Sequence, residues 1–187
     1  MAARGAALDR LVASLLNAAG ATSIPVNVEA VASSLGAQVH AQPLENDVSG
    51  VLAIKGTAKH IIVNALHHDN RKRFTIAHEI GHLVLHHGTA DRLFIDKQLT
   101  IYQRIGTATS TAYTNSNSTT TPEEEREANR FASALLMPAE QLRQTMLDLG
   151  FDLFDELDVS RLAGLFQVSE QAMSIRLQQL ELVSPLK

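Results

Sequence analysis

The stretch FTIAHEIGHLVLHH, residues 74–87, holds four of the chain's eight histidines, with a single glutamate between the first two. On an α-helix each residue advances ~100°. Projected that way, Thr75, His78, Glu79, His82 and His86 share one stripe ~100° wide. Phe74, Ile76, Ala77, Ile80, Leu83, Val84 and Leu85 cover most of the remaining surface. A helix so apolar is expected to be buried, and a buried polar stripe has to be satisfied inside the protein or along a cleft. A zinc ion meets that need. His78 and His82 stand one turn apart, so both imidazoles can reach one ion at ~2.0–2.1 Å. Glu79 faces the same side but is offset, suited to take a proton from water and later pass it to a leaving amine. The pattern is HExxH, the helix of zinc hydrolases. A core helix with internally satisfied histidines is the plainer alternative, and the one-sided polar stripe argues against it.

The third ligand has to be sought elsewhere. From His78 to His86 a straight helix rises ~12 Å, so His86 reads as a wall of the cleft. The longer spacing HExxHxxGxxH fails, with Leu85 where Gly is required and Gly88 where His is required. A second helix, opened by Thr121-Pro122-Glu123-Glu124 with Thr as N-cap and Glu124 at N3, offers four glutamates in EEERE. Glu123, Glu124 and Glu125 are explained by the preference of acids for a helix's first turn. Glu127 lies past that turn, beside the apolar row Ala128, Phe131, Ala132, Leu135 and Leu136, and is favoured over Glu124 as third ligand. His78, His82 and Glu127 would leave a fourth position for water, the catalytic rather than the closed structural arrangement of zinc.

Periodicity supplies the elements that must hold these residues. Leu8, Leu11, Val12, Leu15 and Leu16 predict a first helix stopping at Gly20, and a second runs over about 27–35, after Pro25 and before Gly36. Residues 37–43, 50–55 and 59–64 read as short strands, the last two joined at Gly56-Thr57-Ala58. The histidine helix should run from Asp69 to His87 and stop at Gly88, followed by DRLFIDKQLTIYQR, extended in part. The polar tract at 106–121 reads as a mobile loop, either a tolerated insertion or a lid or partner-binding segment. The glutamate helix should end near Met137 before Pro138, and 139–183 reads as three further short helices.

Composition narrows the classes. With 187 residues and 45% hydrophobic content the chain suits one ordinary domain, its core built from Leu, Ala, Val and Ile because aromatics are 4% and Trp is absent. A net charge of -4 disfavours a protein devoted to gripping nucleic acid or anionic membrane, and the absence of Cys excludes thiolate ligands, thiol nucleophiles and disulfides. No apolar run approaches the ~20 residues that span a bilayer, so a cytoplasmic protein is expected. The segment VSRLAGLFQVSEQAMSIRLQQLELV has the cadence of a helix-turn-helix, but its second helix presents Glu170, Gln171, Ser174, Gln178 and Glu181 with no cation. Direct DNA binding is therefore disfavoured against a helical cap or a docking surface. Tyr102, Tyr113, His67 and His68 could donate to an oxyanion, although ordinary packing and helix-start solvation explain them more simply. Arg71, Lys72 and Arg73 read as a solvated turn.

RFTIAHEIGHLVLHH with EREANRFASALLMP, preceded by HIIVNA, resembles the ImmA/IrrE family of bacterial and phage metallopeptidases over roughly residues 25–180. The resemblance matches His78, His82 and Glu127 to the zinc ligands and Glu79 to the catalytic glutamate. It implies an α+β, zincin-like fold, with a small three-stranded sheet packed on the HExxH helix and a substrate strand adding to the sheet edge. Residues 1–138 are expected to form the metallopeptidase core and 139–187 a helical, helix-turn-helix-like C-terminal subdomain. Members of this family typically cut a helix-turn-helix repressor, relieving repression in stress, phage infection or mobile-element transfer. The tract at 106–121 is not part of the shared pattern. The competing expectation is a non-catalytic, zinc-containing regulator that binds a repressor or DNA, and Glu79 speaks against it because a structural zinc site has no use for that carboxylate.

Overall fold

Short amphipathic helices bracket a small sheet in this computed structural model, which describes residues 2–45, 47–86, 92–96, 120–151 and 156–183. Helices α1 (Ala2–Ala19) and α2 (Val28–Ser34) lead into strand β1 (Ala37–Gln42), the hairpin β2 (Gly50–Lys55) and β3 (Ala58–Asn64), and helix α3 (Asp69–Leu85). Strand β4 (Arg92–Asp96) follows, then α4 (Pro122–Leu136), α5 (Ala139–Leu149), α6 (Glu156–Phe166) and α7 (Glu170–Gln179). The caps are local chemistry. The Asn27 side chain accepts from the Ala30 N–H at 3.0 Å to start α2, and Thr121 and Glu124 close a reciprocal capping box on α4. Gly36, at φ 75°, turns the chain out of α2 in a conformation that side chains resist.

The sheet order is β1-β3-β2-β4, with β1 parallel to β3 and the other pairings antiparallel. Alternation sets its inner face, where Leu52, Ile54, Ile61 and Val63 are buried. The sheet thus has four strands where three were expected. β4 pairs with β2 from Gly50↔Asp96 to Ile54↔Arg92 and covers what would otherwise be an open edge. Five residues bounded by charges, with no turn signal beside them, gave only a partial extended signature.

Helix α3 lies on β2 and β3 and is overlaid by α4. Leu52, Ile61, Ile80, Phe131 and Leu135 meet in one core cluster, to which the C-terminal helices contribute Leu142, Leu162, Phe166 and Met173. Burying each such side chain contributes ~1.5–3 kcal/mol. Arg176 of α7 is 4% exposed; its Nε donates to the Met137 carbonyl at 3.0 Å and its Nη2 pairs with Asp9 at 2.6 Å. The cation of that helix therefore ties α7 to α1 and to the end of α4. No helix among the described residues is long and apolar enough to cross a membrane. His87, Gly88, Tyr102, Tyr113 and all but the last two residues of the 106–121 tract lie outside the described residues.

Candidate metal centre

Two glycines let α3 be gripped from both sides. A Cβ on Gly50 would collide with Thr75 Cγ2 and stand 3.1 Å from Glu79 Oε1, so bare backbone at the start of β2 admits the helix and its glutamate. The loop before Gly50 is held by buried Asn64, whose Nδ2 donates to the Val48 carbonyl at 3.1 Å and whose Oδ1 accepts from the Leu66 N–H at 3.1 Å. Arg71 Nη2 donates to Ser49 Oγ at 2.9 Å and Arg73 Nη2 to the Val26 carbonyl at 3.0 Å. Both arginines of the basic run therefore brace the fold, whereas a solvated turn was expected. On the opposite side, a Cβ on Gly81 would lie 3.0 Å from Ala128 Cα and 3.1 Å from its carbonyl oxygen. Contact between α3 and α4 at that point decides which residues of α4 overlook the histidines.

His78 and His82 are each 1% exposed and Glu79 is fully buried. The Nε2 atoms of the two histidines approach to 3.0 Å. The carboxylate beside them belongs to Glu125, with Oε2 at 3.3 Å from His78 Nε2 and Oε1 at 3.4 Å from His82 Nε2. The structure does not bring the expected Glu127 to this pair. Its carboxylate is half exposed and stands 3.8 Å from His86 Nε2, while Glu124 is occupied in the capping box, accepting from the Thr121 N–H at 2.6 Å. The reason is helical phase. Glu125 precedes Ala128 by three residues and Ala132 by seven, so it lies along the row that packs on α3; Glu127 is ~160° around the helix from it. A place in the first turn accounts for an acid there without excluding a second use. Asn129, one turn on from Glu125 and not among the expected site residues, has its Oδ1 3.1 Å from His78 Nδ1. The Glu-x-x-x-Asn spacing along the Ala128–Ala132 row was the available signal. His86 borders the group, its ring centroid 5.5 Å from that of His82.

The local electrostatics suit a cation. Burial pushes the His82 pKa below its ordinary value, outweighing its hydrogen bond with Glu125. For Glu125 burial acts upward, but the hydrogen bonds and charges of His78 and His82 prevail and hold its pKa well below the carboxylate range. Both shifts run toward the forms that ligate a metal, a deprotonated imidazole nitrogen and an ionised carboxylate. Ligand atoms ~2.05 Å from a tetrahedral ion lie ~3.3 Å apart; the two imidazole nitrogens are 3.0 Å apart, and each has a different oxygen of Glu125 at 3.3 or 3.4 Å. His78, His82 and Glu125 form the one three-residue group with metal-holding geometry among the described residues. The donor set fits a borderline divalent ion such as zinc. Two clefts, of about 490 Å³ against β1 and α2 and about 250 Å³ between α3 and α7, are lined by other residues.

Residues 32–178 match the family model of Peptidase M78, described as an IrrE N-terminal-like domain. Among curated proteins none matches the chain.

Proposed function

The chain belongs to the IrrE N-terminal-like peptidase family, a metallopeptidase family, and on that premise we propose that it is a zinc-dependent endopeptidase. The convergence of His78, His82 and Glu125, with the buried Glu79 on the same helix as the two histidines, carries this reading. The three side chains would hold the ion, and Glu125 replaces Glu127 as third ligand. Zinc bound there would supply Lewis acidity toward a water molecule and toward the scissile carbonyl. A carboxylate oxygen of Glu79 would take the proton of the attacking water and release it to the leaving amine. The missing side chain at Gly50 leaves room for that carboxylate, since a Cβ there would stand 3.1 Å from Glu79 Oε1.

We further propose that the substrate is a regulatory protein, a helix-turn-helix repressor whose cleavage relieves repression in a stress, phage or mobile-element response, acting in the cytoplasm. The family resemblance supports this. So does α7, whose lone cation is buried against Asp9, leaving a surface better suited to a protein than to DNA phosphates. Incubation of the protein with a helix-turn-helix repressor encoded beside its gene tests both steps. Wild type should cut it, and Glu79→Gln should cut 10²–10⁴-fold more slowly, roughly the worth of a general base, with zinc content unchanged. Cleavage at the wild-type rate by Glu79→Gln would refute the mechanism.

A further inference from the structure

The inner nitrogens of His78 and His82 face Glu125, but His78 has a second contact at its back. Its Nδ1 lies 3.1 Å from Asn129 Oδ1, and the ring is buried. A neutral imidazole carries one N–H, on either Nδ1 or Nε2. If Nδ1 carries it, the N–H donates to the Asn129 oxygen and the Nε2 lone pair is presented toward His82 and Glu125. In the other tautomer Nε2–H points into the group, blocking that atom as a ligand, and Nδ1 faces an amide oxygen lone pair to lone pair. With Oδ1 facing the ring, the second arrangement sets two buried acceptors together at 3.1 Å, a cost of about 1–3 kcal/mol. That cost works against the hydrogen bond Nε2–H can make to Glu125 at 3.3 Å. We infer that Asn129 is a positioning residue that fixes the tautomer and ring orientation of His78, so that the metal-holding face exists before the ion arrives.

Helix geometry makes the assignment economical. Glu125 and Asn129 are one turn apart on α4, and the Gly81–Ala128 contact fixes that helix against α3. One turn of α4 thus faces the histidine pair twice, with the carboxylate at the inner nitrogens and the amide oxygen at the outer nitrogen of His78. A lateral shift of α4 would disturb both together.

This inference rests on the zinc reading above, and its test separates the two. Zinc affinity is measured by chelator competition on wild type, Asn129→Leu and Asn129→Asp, each metal-free variant checked for unchanged melting and circular dichroism. Asn129→Leu keeps the branched shape and loses the acceptor, so it should bind zinc 10–100-fold more weakly, the usual cost of an outer-shell partner. Asn129→Asp keeps an acceptor and cannot donate, so it should stay within about threefold of wild type. Nitrogen-15 spectra of the metal-free protein should show His78 protonated on Nδ1 in wild type and in the Asp variant, and a tautomer mixture in the Leu variant. Wild-type affinity and tautomer in Asn129→Leu would overturn the assignment alone, as would equal losses in both variants. A wild type that binds no zinc would overturn the metal reading itself, and this inference with it.

Discussion

Two pairs of histidines in this chain bring imidazole nitrogens to similar separations, in opposite surroundings. His78 and His82 sit one turn apart on a buried helix with Nε2 atoms 3.0 Å apart. His40 and His60 sit on the parallel neighbours β1 and β3, with His40 Nε2 3.2 Å from His60 Nδ1. The buried pair has Glu125 in front of it and Asn129 behind it. The strand pair, exposed at the sheet's edge strand, belongs to no three-residue ligand group among the described residues. The two rings can share a single N–H···N bond there, with water meeting the remaining nitrogens. The spacing of imidazoles is therefore not what distinguishes the centre. The carboxylate from a second helix and the exclusion of water do.

The sharpest way to break this contrast is to remove the carboxylate. Zinc held by a complete protein site is worth ~10–16 kcal/mol, so one ligand of four represents roughly 3 kcal/mol, or on the order of 100-fold in affinity. Glu125→Ala and His82→Ala should each weaken zinc binding by about that factor or more. Glu127→Ala should leave it within about threefold, because that side chain faces His86 and solvent. Chelator competition on the three variants decides the matter. A large loss in the Glu127 variant with none in the Glu125 variant would restore the sequence-based ligand and refute the arrangement in the structure.

That comparison also shows where the sequence was legible. The histidine stripe is a property of one helix, and a single period of 3.6 residues suffices to place His78, Glu79 and His82 together on it. The β2–β3 hairpin and the capping box of α4 were readable for the same reason, since each depends on residues close in the chain. The partner of the histidines depends instead on how two helices cross. Glu125 and Glu127 flank one apolar row, and only the rotation of α4 against α3 chooses between them. The close approach at Gly81 fixes that rotation. A glycine between the two histidines could have pointed to a close approach, but it does not name the facing residue. Asn64, at the end of an apolar strand, carries no mark of what it will bond, and the spacing of Asn129 from Glu125 gains meaning only once Glu125 is known to face the histidines. β4 was caught only in part because its pairing with β2 is a tertiary event.

Gly81→Ala tests the crossing itself and should have the next largest effect. The added methyl would meet backbone atoms of Ala128 at 3.0 and 3.1 Å, and backbone cannot rotate away. Overpacking of this kind costs ~1–3 kcal/mol, partly offset by alanine's advantage over glycine of up to ~1 kcal/mol in a helix. A net loss of about 1–2 kcal/mol lowers the melting temperature of a chain this size by roughly 2–8 °C. Because the helices must part, Glu125 should recede from both histidines and zinc affinity should fall with the stability. A more stable variant with full affinity would mean that the α3–α4 spacing does not set the site.

The smallest effect is expected at the other histidine pair, and it bears on the contrast most directly. His40→Ala removes one ring of an exposed N–H···N contact, a substitution worth within ~0.5 kcal/mol of stability. The zinc titration should keep one tight equivalent, displaced by chelator as in wild type, because nothing from β1 enters the group formed by His78, His82 and Glu125. If wild type instead takes up a second, weaker equivalent that disappears in His40→Ala, two imidazoles 3.2 Å apart suffice to hold an ion without burial or carboxylate. Burial and Glu125 would then govern only the strength of binding, and the difference between the two pairs would be one of degree.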